Sequence, residues 1–159
     1  MKDELKQGLI NNLRSGEYKQ GRKRLRVRQE EGGESSFCCL GVLTDMAVKE
    51  GIVEWREKDA HPGRLDDVDG MIIPAYDEER QYTEEFTLPN AVANWACINS
   101  SPSVTINSVV EVLTRDDKYI REEVLKKIDR RGISDVGLAT LNDAGLDFED
   151  MADIIEELL

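Results

Sequence analysis

The run Phe37-Cys38-Cys39-Leu40-Gly41-Val42-Leu43-Thr44-Asp45-Met46-Ala47-Val48 limits what this chain can fold into more than any other stretch. Its only ionisable side chains are Asp45 and the two thiols. Cys39, Val42, Leu43 and Met46 recur at helical spacing, and Phe37, Leu40 and Ala47 widen the apolar stripe. A helix this apolar has to be buried, so the other elements have to cover it. Ser35 and Ser36 stand where an N-cap oxygen is expected, and Gly51 follows Lys49 and Glu50 where a left-handed stop belongs. A run of roughly a dozen residues is too short to cross a bilayer, which takes about 20.

The flanking segments supply that cover. Residues 2 to about 14 read as an amphipathic helix with Leu5, Leu9, Ile10 and Leu13 on one face and Gly16 as its stop. Ile52 to Arg56 and Met71-Ile72-Ile73 read as short strands, the second ended by Pro74, with Glu85-Phe86-Thr87 as a third. Residues 57 to 70 read as a charged loop and 77 to 85 as a polar turn. Leu88-Pro89 opens a helix, capped by Thr87 or Leu88, that buries Ala91, Val92, Trp95 and Ala96. Val104 to Leu113 fits either a broken strand or a strand followed by a helix. Thr114 opens a helix carrying Ile120, Val124, Leu125 and Ile128, Ser134 caps one with Leu138 and Leu141, and Asp147 caps the last, with Phe148, Met151, Ile154, Ile155 and Leu158 on one face. The expectation is a single α+β domain over 1–159: a central buried helix, a small antiparallel sheet and a C-terminal helical layer.

Charge is distributed unevenly. From Lys19 to Arg28 there are six positive side chains and no acid, so the rest of a chain of net charge -12 carries -18. Leu25 and Val27 alternate with Arg24, Arg26 and Arg28, the pattern of a strand with three arginines on one outer face. Guanidinium forks suit phosphate, so the three are candidate anion ligands, with Arg14 and Tyr18 extending the patch. The competing reading is a solvated strand face paired with Glu30, Glu31 and the acidic surplus. The acidic total speaks against general nucleic-acid binding and against an anionic membrane surface.

The remaining candidates are fewer. Asn142-Asp143 are polar site residues or the polar end of a helix before its turn; the second reading is favoured. Asp45 is expected in a buried salt link to Arg14 or to an arginine of the basic strand. Cys38 at a helix N-terminus, with His61 as its imidazole, would make a thiol nucleophile, although free cysteines are commonly small buried hydrophobes. Cys38, Cys39 and Cys97 lack zinc spacing, and three cysteines make no disulfide framework, so no metal or cofactor is expected and the setting is a reducing one. The charged start Met1-Lys2-Asp3-Glu4 does not read as a signal peptide.

The chain resembles a family of small uncharacterised proteins found mostly in tailed-phage genomes. The likeness rests on Leu13-Arg14-Ser15-Gly16-Glu17-Tyr18-Lys19-Gln20, on Phe37-Cys38-Cys39-Leu40-Gly41-Val42-Leu43, on Leu88-Pro89 with Trp95, and on Leu138-Ala139-Thr140-Leu141-Asn142-Asp143 followed by Gly145 and Phe148. Thr44 stands where a third cysteine is expected, and residues 108 to 133 look inserted. The resemblance implies a phage setting, hence the cytoplasm of an infected host, and brings no activity, cofactor or catalytic residue.

With no catalytic constellation, the leading expectation is a non-enzymatic phage accessory protein. It would bind a host protein or a small phosphate-bearing, nucleotide-like ligand to blunt host defence, and a homo-oligomer could form around its exposed strand edges. The enzyme alternative is a thiol-dependent hydrolase or transferase using Cys38 and His61. A third reading is an acidic DNA mimic that blocks a host nucleic-acid-binding enzyme.

Overall fold

The computed structural model describes residues 1–28, 34–57, 72–74, 87–115 and 134–159. The fold is α+β. Helix α1 is Asp3–Arg14, followed by β1 (Lys19–Gln20), β2 (Arg26–Arg28), β3 (Ser35–Phe37) and α2 (Cys39–Lys49). Then come β4 (Trp55–Glu57), β5 (Ile72–Pro74), α3 (Asn90–Ala96), β6 (Ser103–Thr105), α4 (Ile106–Thr114), β7 (Asp135–Gly137), α5 (Leu138–Ala144) and α6 (Phe148–Leu158). The expected strands at 85–87 and helix after Thr114, and the loop carrying His61, fall wholly or largely outside the described residues.

Helix α2 is central, touching α1, α3, α5 and β3. Its residues Cys39 to Thr44 and Ala47 are all buried. Full burial of side chains such as Leu40, Val42 and Leu43 stabilises by about 1.5–3 kcal/mol each. Thr44 is fully buried, and its hydroxyl donates to Leu40 O at 2.9 Å, so the polar residue in the stripe is satisfied within its own helix. The outer layer is α1 packed on α6: Leu9, Ile10 and Leu13 meet the face carrying Met151, Ile154 and Ile155.

The start of α2 differs from expectation. Ser35 and Ser36 do not cap it. They form β3 with Phe37, the middle strand of a sheet ordered β1-β3-β2, in which Ser36 pairs in parallel with Lys19 and antiparallel with Val27. With its backbone engaged on both sides, this segment cannot turn helical before Cys38. Cys38 is therefore the N-cap, its Sγ accepting from Gly41 N–H at 3.4 Å. The end is as expected: Gly51 takes φ +71°, and Gly51 N–H and Ile52 N–H close on Val48 O and Ala47 O.

The remaining sheets are antiparallel pairs, β4 with β5 and β6 with β7. The ambiguous 104–113 stretch resolves into a strand and a helix, with Thr105 Oγ1 accepting from Ser108 N–H. Thr114 closes that helix, its hydroxyl donating back to Val110 O. Ser134 caps no helix, because β7 intervenes and α5 starts after Gly137. Pro89 is the N-cap of α3, later than the expected cap at Thr87 or Leu88, so the proline stands just before the first helical position and not in it. Asp147 does cap α6, in a reciprocal box with Asp150. Among the described residues no helix is long and apolar enough to cross a membrane.

Helix α3 ends on Cys97 at φ +53°, a left-handed conformation in which a Cβ is crowded. Its N–H and that of Ile98 still close on Asn94 O and Ala93 O. Glycine suits this place better, and the thiol is exposed. Cys97→Gly is expected to raise stability by about 0.5–1 kcal/mol despite the added freedom of the unfolded chain. Urea midpoints of the two proteins check it.

Candidate functional site

The basic segment is not one straight strand. Lys23 takes φ +66°, and regular pairing begins only at Arg26. The turn is held from outside by the end of α5. Asp143 Oδ1 accepts Lys23 N–H at 2.7 Å, Asn142 Nδ2 donates to Gly21 O at 2.9 Å, and Asn142 Oδ1 accepts from Gln20 Nε2 at 3.0 Å. Gln20 also donates to Leu146 O. Asn142 is fully buried in this clamp. The Asn-Asp pair thus shapes the basic turn from behind.

Because the chain turns at Lys23, the arginines separate. Arg24, with Lys23, borders a pocket of about 340 Å³. Its floor is Cys38 and Leu40 at the start of α2. Its described lining also includes Thr87, Ser101, Pro102, Gly137, Ala139, Thr140 and Asp143. Arg26 lies elsewhere. Its Nε donates to Ser35 Oγ at 3.0 Å, and its guanidinium stands 5.4 Å from the Phe37 ring centre and 5.3 Å from that of Trp55. The side chain of Arg28 is outside the described residues. The expected common face of Arg24, Arg26 and Arg28 is therefore not formed: the left-handed backbone at Lys23 and the aromatic seat of Arg26 send Arg24 and Arg26 to different sites.

Arg26 borders a second groove, of about 700 Å³, with Tyr18, Phe37, Asp45 and Lys49. Tyr18 OH donates to Asp45 Oδ2 at 2.8 Å and accepts from Lys49 Nζ at 2.7 Å, while Trp55 Nε1 donates to Asp45 Oδ1 at 2.8 Å. Burial, and then the bond to Asp45, raise the Tyr18 pKa against the opposing pull of Lys49. Asp45 thus takes its partners from Lys49, Tyr18 and Trp55, not from an arginine. Lys19, Arg26 and Lys49 face Glu17, Glu34 and Asp45 around this groove, so its charge is balanced.

Arg14, expected beside the basic patch or on Asp45, points to α6. It pairs with Asp153 at 2.6 Å, Glu156 at 2.8 Å and Glu149 at 3.3 Å. Glu156 and Asp153 raise its pKa further. Arg115 holds Glu157 in the same way. The acids of α6 are thereby partly neutralised by arginines, which works against a regular DNA-like array on that helix.

Cys38 lies on the pocket floor but is only 3% exposed. Burial pushes its thiol up to about 11 from an ordinary value near 9, and burial holds Cys39 well above that value too. A nucleophilic thiolate needs the opposite shift. The folded chain keeps protons that the unfolded chain releases near pH 9. The stabilisation is therefore complete below that pH and is lost as pH rises from 9 through 11. For Cys38 the loss amounts to ~2–3 kcal/mol. The urea midpoint is expected to fall accordingly between pH 7.5 and pH 10.5. At pH 7.5 iodoacetamide is expected to modify exposed Cys97 and to spare Cys38 and Cys39 in the native protein. Labelling of Cys38 at the rate of Cys97 would restore the thiol-enzyme reading.

Reading the sequence for a straight strand missed the pocket's other walls, Thr87, Ser101, Pro102 and Thr140. Nothing local marks them, since they come from segments distant in the chain. Among the described residues no group of three or more His, Cys, Asp and Glu side chains is placed to hold a metal. No curated protein matches the chain, and no solved structure does. A family model described as a domain of unknown function, DUF8296, matches residues 1–159, so the chain belongs to the DUF8296 family.

Proposed function

We propose that this protein is a non-catalytic binding protein for a small phosphate-bearing anion, taken up in the pocket bordered by Lys23 and Arg24. One observation carries the reading. A chain of net charge -12 places two adjacent cations on a concavity whose other described lining residues bring hydroxyls, a thiol, short apolar side chains and one acid. Among the described lining residues the one nucleophile besides hydroxyls, Cys38, is held in its protonated form, which supports binding over chemistry. The sequence resemblance to tailed-phage proteins supports a role inside an infected cell. There, sequestering a small phosphorylated host molecule is one way to blunt a defence.

Calorimetry and thermal shift with inorganic phosphate and a panel of phosphate esters test this. A ligand at 100 times its Kd stabilises by about 2.7 kcal/mol, which in a domain of this size moves the Tm by roughly 5–10 °C. The double substitution Lys23→Gln with Arg24→Gln is expected to abolish the shift, and Lys49→Ala in the other groove to leave it intact. No shift with any phosphate compound, or an undiminished shift in the double variant, would sink the proposal.

A further inference from the structure

We infer that the ligand of this pocket is a phosphorylated sugar or polyol of about monosaccharide size, not a nucleotide; this rests on the anion-binding reading above. Three features of the lining lead there. The first is size: about 340 Å³ is at the small end of the range for ligand sites, roughly 300–1,000 Å³.

The second is the carboxylate of Asp143, which lines the same concavity as Lys23 and Arg24. It repels a bare anion. Its Oδ1 already accepts Lys23 N–H, and an ionised carboxyl has about four acceptor positions in all. A ligand that satisfies both kinds of group has to present an anionic group to the cations and hydrogen-bond donors to Asp143. A sugar phosphate does this, its phosphate taken by the cations and its hydroxyls donating to the carboxylate.

The third feature is the remaining polar lining. Thr87, Ser101 and Thr140 bring hydroxyls, which both donate and accept, as a polyol requires. Among the described residues none that lines this pocket is aromatic, so none of them offers a base a stacking partner. Stacking on an aromatic side chain is worth about 1–3 kcal/mol per base. The aromatic cluster of Tyr18, Phe37 and Trp55 belongs to the other groove or its flank.

The experiment is calorimetry on the full chain at fixed ionic strength with four probes: inorganic phosphate, ribose 5-phosphate, ribose and AMP. Ribose 5-phosphate is expected to bind about tenfold tighter than phosphate, as one or two added hydrogen bonds warrant, and about tenfold tighter than AMP. Ribose alone is expected to show no measurable binding. Asp143→Asn keeps an oxygen for Lys23 N–H and removes the negative charge. It is expected to tighten inorganic phosphate two- to fivefold while shrinking the ribose 5-phosphate advantage to about threefold or less. These opposite changes separate a ligand contact from a scaffold role, which would weaken both probes together and overturn the inference. AMP binding as tightly as ribose 5-phosphate, or phosphate binding as tightly as its ester, would also overturn it and leave the anion site standing. Failure of all phosphate probes would remove the anion site itself.

Discussion

Gly41→Ala is expected to be the most damaging methyl added at any described glycine, costing about 3–5 kcal/mol and leaving much of the protein unfolded at 37 °C. By helix propensity alone the substitution would help, since alanine is favoured over glycine by about 1 kcal/mol in a helix interior. The sign reverses because of what lies over the helix. A Cβ at Gly41 would overlap Leu25 O and sit 2.6 Å from Leu25 C. These are backbone atoms of a buried residue and no rotamer change moves them. Relief requires the chain at Leu25 to lift off α2 by more than an ångström. That breaks the bond from Cys38 N–H to Leu25 O and disturbs the pairing of Arg26 with Phe37 next to it. The pocket goes with it, because Arg24 on its border and Cys38 and Leu40 on its floor are set by this contact. Gly8→Ala in α1 is the control. There the added Cβ meets only the Cε of Met46 at 3.0 Å, a flexible tip that can move aside, so the change is expected within about 1 kcal/mol of the parent. Urea denaturation of both variants checks the pair. A Gly41→Ala protein as stable as Gly8→Ala would mean that the basic segment does not rest on the central helix.

That contact also shows how far the sequence is legible. A glycine inside an apolar helical run is a known sign of close backbone approach, but the run alone does not say which segment approaches. The long amphipathic helices α1 and α6 and the glycine stops at Gly16, Gly51 and Gly145 are readable because period and left-handed turns are local properties. Strands of two or three residues are not. Lys19–Gln20 has no period to recognise, and its parallel partner lies across the basic turn. Ser35 and Ser36 carry the chemistry of a cap, yet pairing on both edges overrides that preference. The alternation of Leu25 and Val27 with arginines is real as a pattern, and Leu25 is buried as it requires. What the pattern hides is the left-handed residue at Lys23, imposed by a carboxylate 120 positions away. The candidate cations were therefore legible and their grouping was not. Arg24 belongs to the small pocket, Arg26 to an aromatic seat and Arg14 to the acids of α6.

The same clamp supplies the second large effect. Asn142→Leu, which keeps the side chain's branching and heavy-atom count, is expected to cost about 2–4 kcal/mol, through lost hydrogen bonding and not through a cavity. The side chain is fully buried, with its oxygen taken by Gln20 and its nitrogen by Gly21 O. An apolar replacement strands Gly21 O without that donor and leaves the Gln20 amide only its bond to Leu146 O. Asn142→Asp separates the two halves of the interaction. The introduced carboxyl can still accept from Gln20, but when ionised it puts a negative oxygen against Gly21 O. Burial and that repulsion raise its pKa in the folded state above the unfolded value near 4. By linkage, the variant is then least stable at neutral pH and gains relative to the parent protein as pH falls through the folded pKa, where the protonated group can donate to Gly21 O. Asn142→Leu has no titrating group and is expected to show no such recovery. Denaturation midpoints of parent and both variants between pH 7.5 and pH 4.5 decide it, and parallel pH profiles for the two variants would show that this amide does not hold the basic turn in place.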